Sequence, residues 1–237
     1  MTQPAADPPG HRHLGTGRAL LIDLDGVLVD SMPAIDRIFA TWARDHGLDP
    51  AHVTRTIHGR PTAEALKDLV PLHEVPAHRH RLAQAEITAS STMTALPGAQ
   101  QLLSLLPPHA WAIVTSGERS VAQARINATG LPSPPVLVSA DDVTRGKPDP
   151  ECYLRAAARI GAAPSDCWVI EDADSGLAAA HAAGMHSIGL GNRLRNQTST
   201  EATIRSLDEL TITTEARQLT ITIRRPCRVP GSKLGAQ

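Results

Sequence analysis

The run Ala19-Leu20-Leu21-Ile22, four apolar residues that stop abruptly at Asp23-Leu24-Asp25-Gly26, constrains the fold of this chain more than any other stretch. An unbroken apolar run has no polar face to give to water. As a strand it must be buried on both sides, which is the habit of an interior strand in a parallel sheet. Comparable runs recur at Trp111-Ala112-Ile113-Val114, Val136-Leu137-Val138, Trp168-Val169-Ile170 and Ser187-Ile188-Gly189-Leu190. Helix-like stretches with recognisable punctuation separate them. Glu118 to Thr129 ends at Gly130, Pro150 to Ile160 starts behind Asp149 and ends at Gly161, and Ser175 to Ala183 starts behind Asp174 and ends at Gly184. Glycine suits the left-handed residue after a last helical turn, and an aspartate can accept the first free amides. Strands and helices alternating at this spacing predict an α/β fold, a parallel sheet with helices on both faces.

The interval 31–93 breaks the alternation. It offers helix-like segments at about 33–46, 61–70 and 77–91, separated by Gly47, Gly59-Arg60-Pro61 and Pro71, with no strand-like run between them. It reads as a small helical domain inserted after the first strand, which accounts for a chain of 237 residues, larger than one ordinary domain and smaller than two. The sheet domain then comprises 18–30 and 94–223. Leu210-Thr211-Ile212-Thr213 and Leu219-Thr220-Ile221-Thr222-Ile223 alternate apolar and polar residues around Thr214-Glu215-Ala216-Arg217, the pattern of a terminal hairpin. Residues 1–17, rich in proline and glycine and including His11 and His13, and residues 224–237 lack any apolar period and are expected to be disordered or loose tails.

Composition excludes several classes of function. A net charge of −1 with 23 basic and 24 acidic residues argues against a nucleic-acid partner, and three Trp, one Tyr and one Phe leave few platforms for stacking on bases. No apolar run reaches a membrane span, and no secretory leader is legible at the N-terminus, so a cytoplasmic protein with no membrane partner is expected. Cys152, Cys167 and Cys227 are odd in number and widely spaced, consistent with buried thiols rather than disulfides or a zinc site.

The chemistry-bearing residues sit where strands end. Ligands of open parallel sheets bind outside the carboxyl ends of the strands, which is where Asp23 and Asp25 fall. Two carboxylates at that spacing can bind a divalent cation, or one can attack while the other moves a proton; a solvated Asp-Gly turn is the plainer alternative. A second acidic group, Glu171-Asp172 followed by Asp174, ends the run Trp168-Val169-Ile170. Acids converging on one edge repel one another unless a cation joins them, and Mg²⁺ with oxygen ligands answers that need; Asp174 reads as a helix N-cap. Thr115-Ser116-Gly117 stands between a strand and a helix, where hydroxyls and amides can hold an anion. In Gly146-Lys147-Pro148-Asp149-Pro150 the prolines stiffen the approach to the next helix and hold Lys147 in place.

Taken in order, these four elements resemble the motifs of the haloacid dehalogenase superfamily of phosphohydrolases. Asp23-Leu24-Asp25-Gly26-Val27 resembles the first, Thr115-Ser116 the second, Lys147 in Gly-Lys-Pro the third and Glu171-Asp172 the fourth. The resemblance covers about residues 18–192 and implies a Rossmann-like core with an inserted C1-type helical cap. His58-Gly59-Arg60-Pro61-Thr62, with the segment from Trp111 to Gly117, is most similar to small sugar- and polyol-phosphate phosphatases. What the resemblance implies is hydrolysis of a small phosphate ester through an aspartyl-phosphate. Asp23 would be the nucleophile and Asp25 the acid and base. Thr115, Ser116, Gly117 and Lys147 would hold the phosphate. Mg²⁺ would lie on Asp23, the Asp25 carbonyl and Asp172, with Glu171 as a further or outer ligand. His58 and Arg60 on the cap would meet the leaving group, and a monomer or weak dimer is expected.

Two positions depart from the family pattern, Ala173 where many relatives carry serine and Asp174 where proline commonly follows. The nearest alternative is a sugar phosphomutase, whose relatives tend to have lysine at the position of His58 and arginine near Thr62. A non-catalytic phosphate-binding module is the remote one. A nicotinamide dehydrogenase would need GxGxxG after the first strand, and none is there. The stretch His78-Arg79-His80-Arg81 is expected to be a solvated helix face.

Overall fold

In the computed structural model, which describes residues 11–191, 194 and 200–224, the run Ala19–Ile22 is β2, an inner strand of a six-stranded sheet. The other strands are β3 (Trp111–Val114), β4 (Leu137–Val138), β5 (Cys167–Glu171), β6 (His186–Leu190) and β7 (Ala202–Ile204), in the order β4-β3-β2-β5-β6-β7. Every pairing is parallel. Successive side chains of β2 serve opposite faces: Leu20 and Ile22 join one apolar cluster with Trp168 and Ile170, while Ala19 and Leu21 join another with Cys167 and Val169. All four residues of β2 are fully buried, and each large side chain so placed contributes about 1.5–3 kcal/mol.

Helices cover both faces. α5 (Ala99–Ser104) and α6 (Arg119–Thr129) supply Leu102, Leu103, Ala122 and Ile126 to the first cluster. α7 (Glu151–Ile160) and α8 (Asp174–Ala182) supply Tyr153, Ala156, Ala179 and Ala180 to the second. α6 and α7 run into Gly130 and Gly161, and the Asp149 carboxylate accepts the Glu151 amide at 3.0 Å. α8 begins one residue earlier than its sequence suggests: Ala173 is its N-cap and Asp174 its first residue, so the N-cap reading of Asp174 is corrected.

The expected N-terminal tail is also corrected. Residues His11–Gly17 form β1, which pairs antiparallel with β9 (Gln218–Arg224), and β9 pairs in turn with β8 (Leu210–Glu215). The glycines that suggested disorder let this strand lie on the Trp168 ring. A Cβ at Gly17 would come within 2.7 Å of that ring and one at Gly15 within 2.8 Å, and the indole Nε1 donates to the Thr16 carbonyl at 3.0 Å. The hairpin β8–β9 buries Ile212, Leu219 and Ile221 in the same cluster as Trp168. Arg224 closes β9, whereas residues 1–10 and 225–237, including Cys227, lie outside the described residues. Cys152 and Cys167 are buried free thiols.

Between β2 and β3 stand α1 (Met32–Asp45), α2 (Pro50–Ile57), α3 (Thr62–Leu66) and α4 (Val75–Ser90), packed around Phe39, Trp42, Val53, Leu66 and Leu82. α2 was not legible as a helix, although Asp49 caps it by accepting the amides of Ala51 and His52 at 3.1 Å each. The chain leaves and re-enters the sheet side by side: Asp30 N donates to Thr94 O and Leu96 N to Leu28 O, both at 2.9 Å. His78 is buried and accepts the Trp42 indole N–H at 3.1 Å, and Arg79 reaches Glu118 at 2.6 Å and Asp141 at 3.1 Å. The segment from His78 to Arg81 is therefore not a uniformly solvated face, because α4 lies against α6. Among the described residues no helix is long and apolar enough to cross a membrane.

After β4, Asp142 gathers the sheet's edge. Its carboxylate accepts from the Ser139 amide at 2.9 Å, the Ser139 hydroxyl at 2.8 Å, Arg159 at 2.8 Å, and Arg119. Burial pushes its carboxyl up, but the bonds from Arg159, Ser139 and Arg119 outweigh it and hold the pKa well below the ordinary value. A depressed carboxylate pKa stabilises the fold above the unfolded value, about 3.9, and that stability is lost as pH falls through the folded one. Asp142→Asn is expected to melt at a lower temperature than the wild type at pH 7, with the gap closing in acid. A gap that persists undiminished at the lowest pH would contradict this account.

Candidate active site

Because β2, β3 and β5 are parallel neighbours, their carboxyl ends share one edge. Asp23 and Asp25 follow β2, Thr115, Ser116 and Gly117 follow β3, Glu171 closes β5 and Asp172 follows it. Ile22 pairs with Ile170, so the next residues, Asp23 and Glu171, emerge together, and the Asp23 amide donates to the Ile170 carbonyl at 3.1 Å. These residues, with Lys147 from the loop before α7 and with His58 and Arg60 from the inserted helices, line one cavity of about 770 Å³.

Lys147 sits at its floor, buried. Its ammonium donates to Asp23 Oδ1 at 2.7 Å, Glu171 Oε1 at 2.5 Å and the Val114 carbonyl at 3.2 Å. The Tyr153 hydroxyl donates to the same Glu171 oxygen at 2.7 Å. Burial disfavours the Lys147 charge, yet Asp23 and Glu171 outweigh it and hold the ammonium's pKa well above the ordinary value. Burial raises the Asp23 carboxyl, and Glu171, Asp172 and Asp25 push the same way against Lys147.

Oxygen atoms of Asp23, Glu171 and Asp172, all buried, lie within 4.8 Å of one another, an arrangement that could hold a metal ion. Three buried carboxylates make an all-oxygen donor set, which suits a hard dication. Glycine makes room for two of the acids: a Cβ on Gly26, at φ +80°, would fall 2.1 Å from Asp172 Oδ2, and one on Gly176 would fall 1.8 Å from Glu171 Oε1.

Around this centre the polar groups are engaged. Thr115 Oγ1 accepts the Gly117 amide at 3.0 Å, and the hydroxyls of Ser116 and Ser175 donate to the Gly59 carbonyl at 3.2 and 3.3 Å, fastening the inserted helices to the sheet. His58 pairs with Asp36 on α1 at 2.8 Å and Arg60 with Asp68 just past α3 at 2.9 Å, so both line the cavity with partners within the inserted region.

Sequence reasoning missed four participants: Tyr153, Ser31, Arg125 and Glu86. The Asp25 carboxylate accepts from Ser31 Oγ at 2.6 Å and from Arg125 Nη1 at 2.5 Å, and the other arm of Arg125 reaches Glu86 on α4. Burial lifts the Glu86 carboxyl to about 7 even with Arg125 against it. The available signal was a charged residue on an apolar helical stripe, Arg125 among Val121, Ala122 and Ile126, and Glu86 beyond Leu82 and Ala83.

Residues 18–184 match the family model described as haloacid dehalogenase-like hydrolase. The chain is 42% identical over 203 residues to hexitol phosphatase A of Escherichia coli strain K12, an alignment covering 83% of this chain and 94% of that protein. It is 33% identical over 184 residues to glycerol-1-phosphate phosphohydrolase 2 of Saccharomyces cerevisiae, covering 73% and 74%. The crystal structure of a hydrolase from Pseudomonas syringae superposes with a TM-score of 0.70 at 26% identity, covering 80% of this chain and 93% of that one.

Gly26→Ala tests the close approach of Asp172. Displacing one carboxylate is expected to weaken divalent-cation binding, measured by calorimetry, by about tenfold or more. Unchanged affinity would contradict the arrangement.

Proposed function

Because the chain belongs to the haloacid dehalogenase-like hydrolase family, we propose that it is a Mg²⁺-dependent phosphomonoester hydrolase acting on a small sugar or polyol phosphate, as a monomer or weak dimer. The observation that carries the reading is the buried Lys147 held between Asp23 and Glu171 beside a three-carboxylate group, at the floor of a cavity walled by the inserted helices. Relatives at 42% and 33% identity named as a phosphatase of hexitol phosphate and a phosphohydrolase of glycerol 1-phosphate support hydrolysis over return of the phosphoryl group to a sugar.

In this reading a carboxylate oxygen of Asp23 attacks phosphorus as the bond to the ester oxygen breaks, leaving an aspartyl-phosphate. Asp25 gives its proton to the departing oxygen, since an alcohol leaves far more readily than an alkoxide. It then takes a proton from the water that attacks phosphorus and frees Asp23. Lys147 offsets charge on Asp23 and on the phosphoryl oxygens, while Thr115, Ser116 and Gly117 supply hydroxyls and amides around them. Glu171, engaged by Lys147 and Tyr153, chiefly orients the lysine. Asp23, Asp172 and the Asp25 carbonyl would hold Mg²⁺, with Glu171 adjacent; when bound, the ion lowers the repulsion between an anionic nucleophile and an anionic ester. His58 and Arg60 face the leaving group and distinguish one polyol from another.

Phosphate release from a panel of sugar and polyol phosphates is expected in Mg²⁺ and is expected to stop with EDTA. Asp23→Asn should fold normally and lose turnover by about a thousandfold or more. Asp25→Asn should be slow and should accumulate a covalent phosphoenzyme visible by intact mass. Normal turnover by Asp23→Asn, or metal-independent release by the wild type, would sink the reading.

A further inference from the structure

Arg125 is the most deeply buried arginine of the described residues, 1% exposed, on a helix whose neighbouring inward positions are Val121, Ala122 and Ile126. Burying a guanidinium is costly, more so when an N–H is left unsatisfied, and Arg125 Nε is buried without a hydrogen-bond partner. Packing alone would be served by a methionine or leucine. What the arginine adds is a fork. One nitrogen donates to Asp25 Oδ2 at 2.5 Å and the other to Glu86 Oε2. The second Asp25 oxygen takes the Ser31 hydroxyl at 2.6 Å, so donors from two directions hold that carboxylate.

We propose that Arg125 is a positioning residue for the proton-transferring Asp25, and that Glu86, by gripping the other arm of the guanidinium, ties the orientation of Asp25 to helix α4 of the insertion. This rests on the phosphohydrolase reading, in which Asp25 handles the proton of the leaving oxygen. Asp23 has its own counter-charge in Lys147, and Arg125 touches neither Lys147 nor the three-carboxylate group. Loss of the fork therefore reaches the proton transfer and leaves the nucleophile in place. Delivery of a proton matters for an alkyl ester and hardly at all for p-nitrophenyl phosphate, whose phenolate is stable without one. The value of kcat/KM reports only steps up to departure of the leaving group, so it separates the two.

The variants are Arg125→Met, the double substitution Arg125→Met with Glu86→Gln, which avoids leaving the buried Glu86 carboxylate without its arginine, and Glu86→Gln alone. The expected result for Arg125→Met is a fall in kcat/KM of about 100-fold on glycerol 1-phosphate against less than about fivefold on p-nitrophenyl phosphate. The double variant should show the same selectivity, and Glu86→Gln a smaller loss of the same kind. A crystal structure of the Arg125→Met protein should show the Asp25 carboxylate moved off the Ser31 hydroxyl. Equal losses on the two esters, no loss on either, or an Asp25 carboxylate unmoved in that structure would overturn the proposal. If Arg125→Met does not fold, the same comparison on Glu86→Gln decides: an unselective loss overturns it. Wild-type protein inactive on both esters overturns instead the hydrolase reading beneath it.

Discussion

One ammonium group, that of Lys147, is the interaction on which the rest of the site depends. It lies buried between Asp23 and Glu171 and against the Val114 carbonyl, so a single atom joins the ends of β2, β3 and β5. An ion taken out of water is stable only if its partners are close and well placed, and removing one partner of such a group typically costs about 3–5 kcal/mol. The placement comes from the sheet. Register between Ile22 and Ile170 sets the two acids side by side, and Tyr153 on α7 holds the glutamate from behind. Fold and site are thus the same set of constraints read at different scales.

The two aspartates after β2 are two residues apart and answer to different cations. Asp23 turns to Lys147 and to the group it forms with Glu171 and Asp172; Asp25 turns to Arg125 and Ser31. Such sorting gives neighbouring carboxylates distinct electrostatic surroundings, as the separate roles proposed for them in phosphoryl transfer require. It also connects the sheet to the inserted helices at buried and exposed levels, through Glu86 to Arg125 and through Arg79 to Glu118 and Asp141.

The parallel sheet was legible because an unbroken apolar run such as Ala19 to Ile22 has few alternatives, and the strand-end residues were legible because topology brings them to one edge. Less of the periphery could be read. The strand β1 looked like a tail because its glycines carry no apolar signal; their purpose emerges only against the Trp168 ring, which lies more than 150 residues away in the chain. α2 was hidden by a short, weakly apolar sequence whose main cue was the Asp49 cap. Arg125 and Glu86 were overlooked because a charged side chain on a helix is ordinarily solvated, and only the three-dimensional meeting of α4, α6 and the loop after β2 gives these two their partners.

The proposed hydrolysis requires that Asp23 become covalently phosphorylated during turnover. Quenching the enzyme while it is hydrolysing a polyol phosphate, reducing it with borohydride and mapping the peptides by mass tests that claim directly, since an acyl phosphate is reduced and a free carboxylate is not. Modification confined to Asp23, and absent when substrate is omitted, is the expected result. Steady turnover with no modified carboxylate, or with modification at another residue, would contradict it.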